Sequence, residues 1–248
     1  MIFKGKRFFK RMIKGELNNI LKKGDKCVVQ RVTEESISYT LFDSWKCFEL
    51  WYRSLNDDER TFSEVITEGP QKFRLDIDCP KDKWVFLSKY DVLYPLCNLI
   101  KQLLGHSIIL LIYESVDPEK NKYSFHIVVQ NVFFNSSIQC AMVANIIKSR
   151  FKYSDLIDNK VYKSLQCFRL EGSRKPDSQR FKYILGTNNI SKYFLEGIIS
   201  NIENCIPSKF QNTNICKSLP CFHYTTKSEK YTKKYSNTIC RKKFSYNS

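Results

Sequence analysis

Two aspartates, Asp76 and Asp78, alternate with the apolar residues Leu75 and Ile77 in a stretch typical of a β-strand. Because successive strand side chains point to opposite faces, both carboxylates lie on one face and the apolar residues face a core. Two carboxylates at this spacing repel each other, and a divalent cation between them removes the repulsion. The pair therefore predicts a Mg²⁺ or Mn²⁺ site that could bind a triphosphate and activate a hydroxyl group. A solvated strand face is the alternative.

A second strand pattern places a cation, a hydroxyl and an imidazole on one face. Lys122, Ser124 and His126 alternate with Tyr123 and Phe125, which suit a core. The three polar side chains form a row of hydrogen-bond donors that suits phosphate oxygens. The alternative for His126 is a purely structural role within a sheet.

A third group of chemically active residues lies further along the chain. Asp158 follows an apolar run and could complete a set of three carboxylates with Asp76 and Asp78. Arg169 lies in a short strand pattern that leads into a glycine-containing basic turn, residues 172–175. The charges and exposed backbone N–H groups of such a turn suit phosphate. A basic turn with solvated charges is the alternative.

The elements that must position these residues follow from apolar periodicity. Strands and helices do not alternate strictly, which predicts an α+β fold with mostly antiparallel neighbours. Strands are predicted at 27–32, 37–41, 62–66, 73–78, 108–114, 123–130 and 167–171. Helices are predicted at 1–23, at 44–52 with Asp43 as N-cap, and at 88–104, 137–151 and 190–202.

Positive charge dominates the chain and is concentrated at its ends. The net charge of the 248 residues is +16, which indicates a polyanionic partner such as nucleic acid. Residues 1–26 hold nine Lys/Arg against two acids, and residues 224–248 hold seven against one. We therefore predict a basic amphipathic N-terminal segment at 1–26, a catalytic core at 27–204, and a cysteine-containing basic tail at 205–248.

The ten cysteines are interpreted as reduced. The sequence shows no secretory signal and no apolar run long enough for a membrane span. This predicts an intracellular protein without a membrane partner. The nucleus and the cytoplasm both remain open.

In order and chemistry, the three motifs resemble those of the archaeo-eukaryotic primase superfamily, specifically the primase-polymerase branch of eukaryotes and large DNA viruses. The matching features are the acid-x-acid strand, the Lys-x-Ser-x-His strand, and Asp158 followed by Val161-Tyr162 and a Phe-Arg-Leu…Ser-x-Lys segment. An aromatic stretch ending in Trp51-Tyr52-Arg53 also looks like that family. The resemblance covers about residues 27–175 and is more specific than any single motif.

The resemblance implies an RRM-like sheet with flanking helices plus an N-terminal α/β portion. It also implies nucleotidyl transfer from an NTP or dNTP to a 3′-hydroxyl on single-stranded DNA, in viral or mobile-element replication. The sequence contains no Walker motif, so a separate helicase is expected. The implied metal ligands are Asp76, Asp78 and Asp158, with Asp78 standing where eukaryotic members usually have Glu. The implied triphosphate-binding residues are Lys122, Ser124, His126, Arg169 and Lys175.

Members of that family often carry a zinc-binding module after the catalytic core. Candidate Zn²⁺ ligands here are Cys205, Cys216, Cys221, His223 and Cys240. They include no Cys-x-x-Cys pair, so their spacing gives zinc little support.

Two other functions remain open from the sequence. One is a non-catalytic replication accessory that binds single strands through basic and aromatic residues. It does not require three acids in motif order. The other is a metal-dependent nuclease, which would share the acids but not the Ser-x-His row.

Overall fold

The computed structural model describes residues 2–9, 27–80, 88–117, 122–163 and 165–210. For Val116, Asp117 and Lys122 it describes the backbone alone. The chain divides into two compact units, residues 1–209 and 210–248. Apart from residue 210, all described residues belong to the first unit.

The described residues form twelve strands and three α-helices. The strands are β1 (Ile2–Phe3), β2 (Lys6–Arg7), β3 (Cys27–Val32), β4 (Ile37–Phe42), β5 (Phe62–Ile66), β6 (Gln71–Pro80), β7 (Leu110–Asp117), β8 (Lys122–Phe134), β9 (Ile157–Asp158), β10 (Gln166–Arg169), β11 (Tyr183–Ile184) and β12 (Ile206–Pro207). The helices are α1 (Trp45–Arg53), α2 (Lys89–Leu104) and α3 (Ser137–Arg150). None of these helices is long and apolar enough to cross a membrane. Mostly antiparallel sheets with few helices make the fold α+β.

The N-terminal residues form a hairpin rather than the helix predicted for 1–23. β1 and β2 pair antiparallel across Lys4 and Gly5, whose φ angles are +46° and +74°. A helix cannot continue through such a turn, because left-handed residues interrupt its hydrogen bonding. Phe8, counted as part of a helical face, instead packs in an aromatic core. Residues 10–23 of that prediction lie outside the described residues.

The smaller main sheet has four antiparallel strands in the order β10-β5-β3-β4. Next to it, α1 begins after Ser44, whose hydroxyl accepts a first-turn backbone hydrogen bond. Ser44 is therefore the N-cap, one residue after the predicted Asp43. α1 buries Phe48 and Tyr52 in an aromatic cluster with Phe62 of β5.

The larger sheet has the order β11-β7-β8-β6-β9, and β12 pairs in parallel with the last residues of β8. Its centre, β6-α2-β7-β8-α3-β9, is a β-α-β-β-α-β unit with strands in the order fourth, first, third, second. This is the split βαβ arrangement to which RRM-like sheets belong. That the unit is a primase core remains a prediction.

The elements of this unit were largely predictable from local signals. The expected strand at 73–78 lies within β6, and those at 108–114 and 123–130 overlap β7 and β8. α2 lies within the predicted helix at 88–104: Ser88 and Asp91 form a capping box at its start, and Gly105 ends it. Leu75 and Ile77 are fully buried on the face away from the aspartates.

The helix predicted for 190–202 is wrong, because this segment is a series of turns. Two buried carboxylates accept hydrogen bonds from backbone N–H groups of this segment, and the N–H taken by Glu64 is one that a helix would bond internally. Glu171 accepts from the Ser191 backbone and hydroxyl, and Glu64 accepts from the backbone of Ile199. Side-chain acceptors of this kind compete with helical hydrogen bonds. Three apolar residues of the segment are still buried, which explains the misleading periodicity: Phe194, Ile198 and Ile199.

Candidate active site

A cavity of about 450 Å³ is lined by residues of both main sheets. The larger sheet contributes Asp76 and Asp78 of β6 and Ser124 and His126 of β8. Among the lining residues from the smaller sheet and the segment after β10 are Gln30, Ser63, Arg169, Arg174, Lys175 and Arg180. Acidic and basic side chains therefore line the same cavity.

The two aspartates of β6 share one face of the strand, as their spacing predicted. Across the sheet, Asp76 is opposite His126 and Asp78 is opposite Ser124. Burial, followed by the charges of Asp78 and Asp158, raises the pKa of Asp76 to about 7. Asp76 Oδ1 is buried and makes no hydrogen bond to any described residue, although His126 Nε2 lies 3.4 Å away. One carboxylate oxygen thus remains available for a ligand.

Asp158 reaches the same neighbourhood through β9, where it pairs directly opposite Asp76. Its Oδ1 accepts a hydrogen bond of 2.8 Å from the Lys160 backbone and caps a short 3₁₀ turn, Asn159–Tyr162. Asp158 is not among the residues that line the cavity. The structure therefore brings the three predicted acids together in register, with two of them at the cavity and the third engaged with a turn.

Ser124 joins the acidic and basic parts of the cavity. Its hydroxyl donates to Asp78 Oδ1 at 2.6 Å and accepts from the guanidinium of Arg180 at 3.1 Å. Arg180 also donates to the Ser115 carbonyl, and Arg169 donates to the Ser115 hydroxyl. Two guanidinium groups are thereby fixed near the carboxylate pair, where developing negative charge on a ligand would be stabilised.

His126 is a nearly buried member of the same row. Its ring centroid lies 4.5 Å from that of Phe168. Burial, followed by the positive charges of Lys182 and Arg169, holds its pKa well below the usual range. The imidazole is therefore neutral and can either donate or accept a hydrogen bond.

Residues 172–178, here called the basic loop, carry the remaining cations of the cavity. The guanidinium of Arg174 donates to the carbonyls of Pro176 and Ser178, at 2.9 and 3.3 Å. These bonds fold the loop around Arg174. Lys175 is exposed and lines the cavity, so its ammonium can reach a ligand there.

Arg180 and Lys182 were missed by the sequence reasoning. Lys182 is buried, with its ammonium 4.2 Å from the Phe168 ring centroid and bonded to the Arg169 carbonyl. Burial, followed by the charge of Arg169, lowers its pKa to about 7. Arg180 and Lys182 stand two residues apart, as Ser124 and His126 do, and this spacing was a usable signal. The segment around them, however, shows no clear strand pattern in the sequence.

The described part of the chain contains no group of three His, Cys, Asp or Glu side chains placed to hold a metal ion by themselves. Of the carboxylates that line the cavity, Asp76 and Asp78 lie together on β6 and are the hard oxygen ligands that Mg²⁺ prefers. Mg²⁺ is commonly held by one or two carboxylates together with water and substrate phosphates. The unused Oδ1 and raised pKa of Asp76 indicate a site that a cation would stabilise. The donor set thus fits a metal that binds together with a phosphate ligand.

Several predicted site residues lie beyond what the structure describes. Lys122 begins β8 opposite Pro80, and its side chain is outside the description. Of the zinc candidates, Cys205 donates its thiol hydrogen to the Gln130 carbonyl at 3.2 Å. The zinc prediction for Cys205 stays untested, because its four companions lie outside the described residues.

Comparison with known proteins gives one partial similarity. The chain is 28% identical over 166 residues to a protein of African swine fever virus that is named "Putative helicase/primase complex protein". The match covers 58% of this chain and 16% of the viral protein, so the chain corresponds to a small part of that relative's length. No family model matches the chain.

Proposed function

We propose that this chain is a template-directed primase-polymerase. It would transfer nucleotides from an NTP or dNTP to a 3′-hydroxyl on a single-stranded DNA template. The observation that supports this best is the shared cavity, which holds the strand carboxylates of Asp76 and Asp78 together with four Lys/Arg side chains. A metal-bound triphosphate needs both, because acids hold the cation and basic groups neutralise the phosphates.

In the proposed reaction, the 3′-hydroxyl oxygen attacks the α-phosphorus of the nucleotide. The bond from that phosphorus to the bridging oxygen breaks, pyrophosphate leaves with the bonding electrons, and the hydroxyl proton passes to water. A bound divalent cation supplies acidification of the hydroxyl and neutralisation of phosphate charge. Asp76 and Asp78 would hold this cation, and Asp158 would add its negative charge beside them.

The basic residues would bind and orient the triphosphate. Arg169 and Arg180 are already fixed by hydrogen bonds to Ser115, so they lose little freedom when a phosphate binds. Lys175 adds a charge from the basic loop, and His126 and Lys122 are proposed to contribute from β8. Preorganised donors of this kind stabilise charge without reorganising during the reaction.

The viral relative adds support for a role in DNA replication. Its name refers to a helicase/primase complex, and a separate helicase is therefore proposed as a partner. We propose that the two basic ends bind the template strand, because their positive charge lies outside the motifs.

The test is an extension assay with the full chain. A labelled primer on a single-stranded template, and the template alone, are incubated with NTPs or dNTPs and Mg²⁺ or Mn²⁺. We expect longer products that disappear when EDTA removes the metal. Shortened primers would indicate a nuclease instead, and template binding without any reaction would indicate an accessory protein.

A further inference from the structure

The hydroxyl of Tyr52 lies in a fully satisfied hydrogen-bond chain beneath the basic loop. Tyr52 is buried in α1 and donates to the Glu171 carbonyl at 2.9 Å. Because its single proton is used there, the 2.6 Å bond between Tyr52 and Ser173 must be donated by the Ser173 hydroxyl. Ser173 Oγ in turn accepts from the Phe62 backbone at 3.1 Å. One side chain thus ties α1, β5 and the start of the loop together.

Ser173 is also held by its backbone, whose carbonyl accepts from the Lys182 backbone at 3.0 Å. The preceding Gly172 has a φ of +75°, and a Cβ there would lie 2.6 Å from the Ile190 side chain. This part of the loop has little room to shift. Two residues further on, Lys175 lines the cavity, so the direction of its side chain depends on how Ser173 is anchored.

Tyr52 itself is not among the residues that line the cavity. It packs among aromatic rings, 5.2 Å from both Phe48 and Phe194 between centroids. Its ring therefore serves the core, whereas its hydroxyl reaches only Glu171 and Ser173 among the described hydrogen bonds. Removing the hydroxyl alone would take away the acceptor of the Ser173 hydroxyl and leave the ring packing intact.

We infer that Tyr52 is a positioning residue for triphosphate binding, acting through Ser173 on Lys175 of the basic loop. This rests on the proposed function, since it assumes that the cavity binds a triphosphate. Through this contact, α1 would affect how tightly the basic loop binds the phosphates, although no residue of α1 lines the cavity.

The test is a double-mutant cycle on the full chain, with Mg²⁺ and inorganic tripolyphosphate as the probe in isothermal titration. Loss of a neutral hydrogen bond should make Tyr52→Phe bind the probe about three- to ten-fold more weakly. Lys175→Ala should weaken binding more. Adding Tyr52→Phe to Lys175→Ala should have less than about a two-fold further effect, because the two changes act on one contact.

The matched control is Tyr113→Phe, since Tyr113 is equally buried and its hydroxyl bonds to no described residue. It should bind the probe like the wild type. If Tyr52→Phe fails to fold, Ser173→Ala tests the same chain and should show the same dependence on Lys175. Wild-type affinity in the Tyr52 variant, or a full effect that persists without Lys175, would overturn the inference. If the wild type itself binds no tripolyphosphate, that result contradicts the proposed function, independently of the role of Tyr52.

Discussion

The two sides of the cavity are built in different ways. Asp76, Asp78 and Ser124 belong to paired, regular strands, so the alternation of each strand fixes where the side chains point. The basic loop has no strand partner and is held by tertiary hydrogen bonds, such as those from the Phe62 backbone to Ser173 and from Arg174 to the Asp58 carbonyl. The acidic side is therefore determined locally, whereas the basic side depends on residues that are distant in the sequence. Variants on the two sides should consequently fail in different ways.

The acidic side should give the largest effect. We expect Asp76→Ala, Asp78→Ala or Asp158→Ala to abolish extension, a loss of about 10³-fold or more in rate, because metal binding is worth several kcal/mol. Removing one of several mutually repelling carboxylates should leave the fold intact, although Asp158→Ala also removes the cap of the 3₁₀ turn at a cost of about 1 kcal/mol. Circular dichroism and thermal melting check the fold, and labelled primer extension measures the loss. Near-normal extension by a folded variant would refute the assignment of that residue.

The basic side should affect binding more than rate. Lys175→Ala should raise the apparent KM for nucleotide about ten- to one-hundred-fold, the range for losing one charge-assisted hydrogen bond. Contacts made in the ground state mainly affect KM, so kcat should change less. Steady-state kinetics of primer extension measures both values.

Lys192→Ala is a suitable control for that comparison. Lys192 is exposed and is not among the residues that line the cavity. Its variant should retain the wild-type KM. A lower kcat at constant KM for Lys175→Ala would contradict this, because it would mean that Lys175 acts in the chemical step rather than in nucleotide binding.

Ionisation of Asp76, on the acidic side, should destabilise the metal-free protein as the pH rises. The pKa of Asp76 is about 7 in the folded chain against an ordinary value of 3.8. A raised folded pKa gives stability that is complete below about pH 4 and is lost as the pH rises through 7. In EDTA, Asp76→Asn should therefore be more stable than the wild type at pH 8, by about 1–3 kcal/mol, with the gain vanishing near pH 4. Chemical denaturation at both pH values measures this, and an equal gain at both would contradict it.

Charge outside the cavity should have the smallest effect on nucleotide binding. Deleting the chain after His223 removes seven Lys/Arg and one acid but no motif residue. Template binding should weaken, and its dependence on salt should become shallower, because fewer counterions are released. Fluorescence anisotropy of labelled single-stranded DNA at several salt concentrations tests this. If both quantities stay unchanged, the template is bound by the core surface.

The contrast between the two sides also explains how much the sequence could predict. The strand pattern around Asp76 and the helical apolar pattern of α2 are local, and the structure confirms the elements they predicted. The turns at 190–202 depend on Glu64 and Glu171, which no periodicity in that segment reveals. The Arg180 guanidinium bonds to Ser115 and Ser124, which lie in two strands distant in the sequence. The metal and nucleotide roles of all these residues remain predictions.

The order in which the small sheet is completed has a consequence for biosynthesis. β5 spans Phe62–Ile66, but its outer neighbour β10 spans Gln166–Arg169, after most of the larger sheet. At ordinary translation rates, roughly 5–20 s pass between the synthesis of β5 and the synthesis of β10. An unpaired apolar edge invites pairing with other chains during that time. Expression of this protein should therefore depend on chaperone supply, and fragments that stop before Gln166 should aggregate rather than fold.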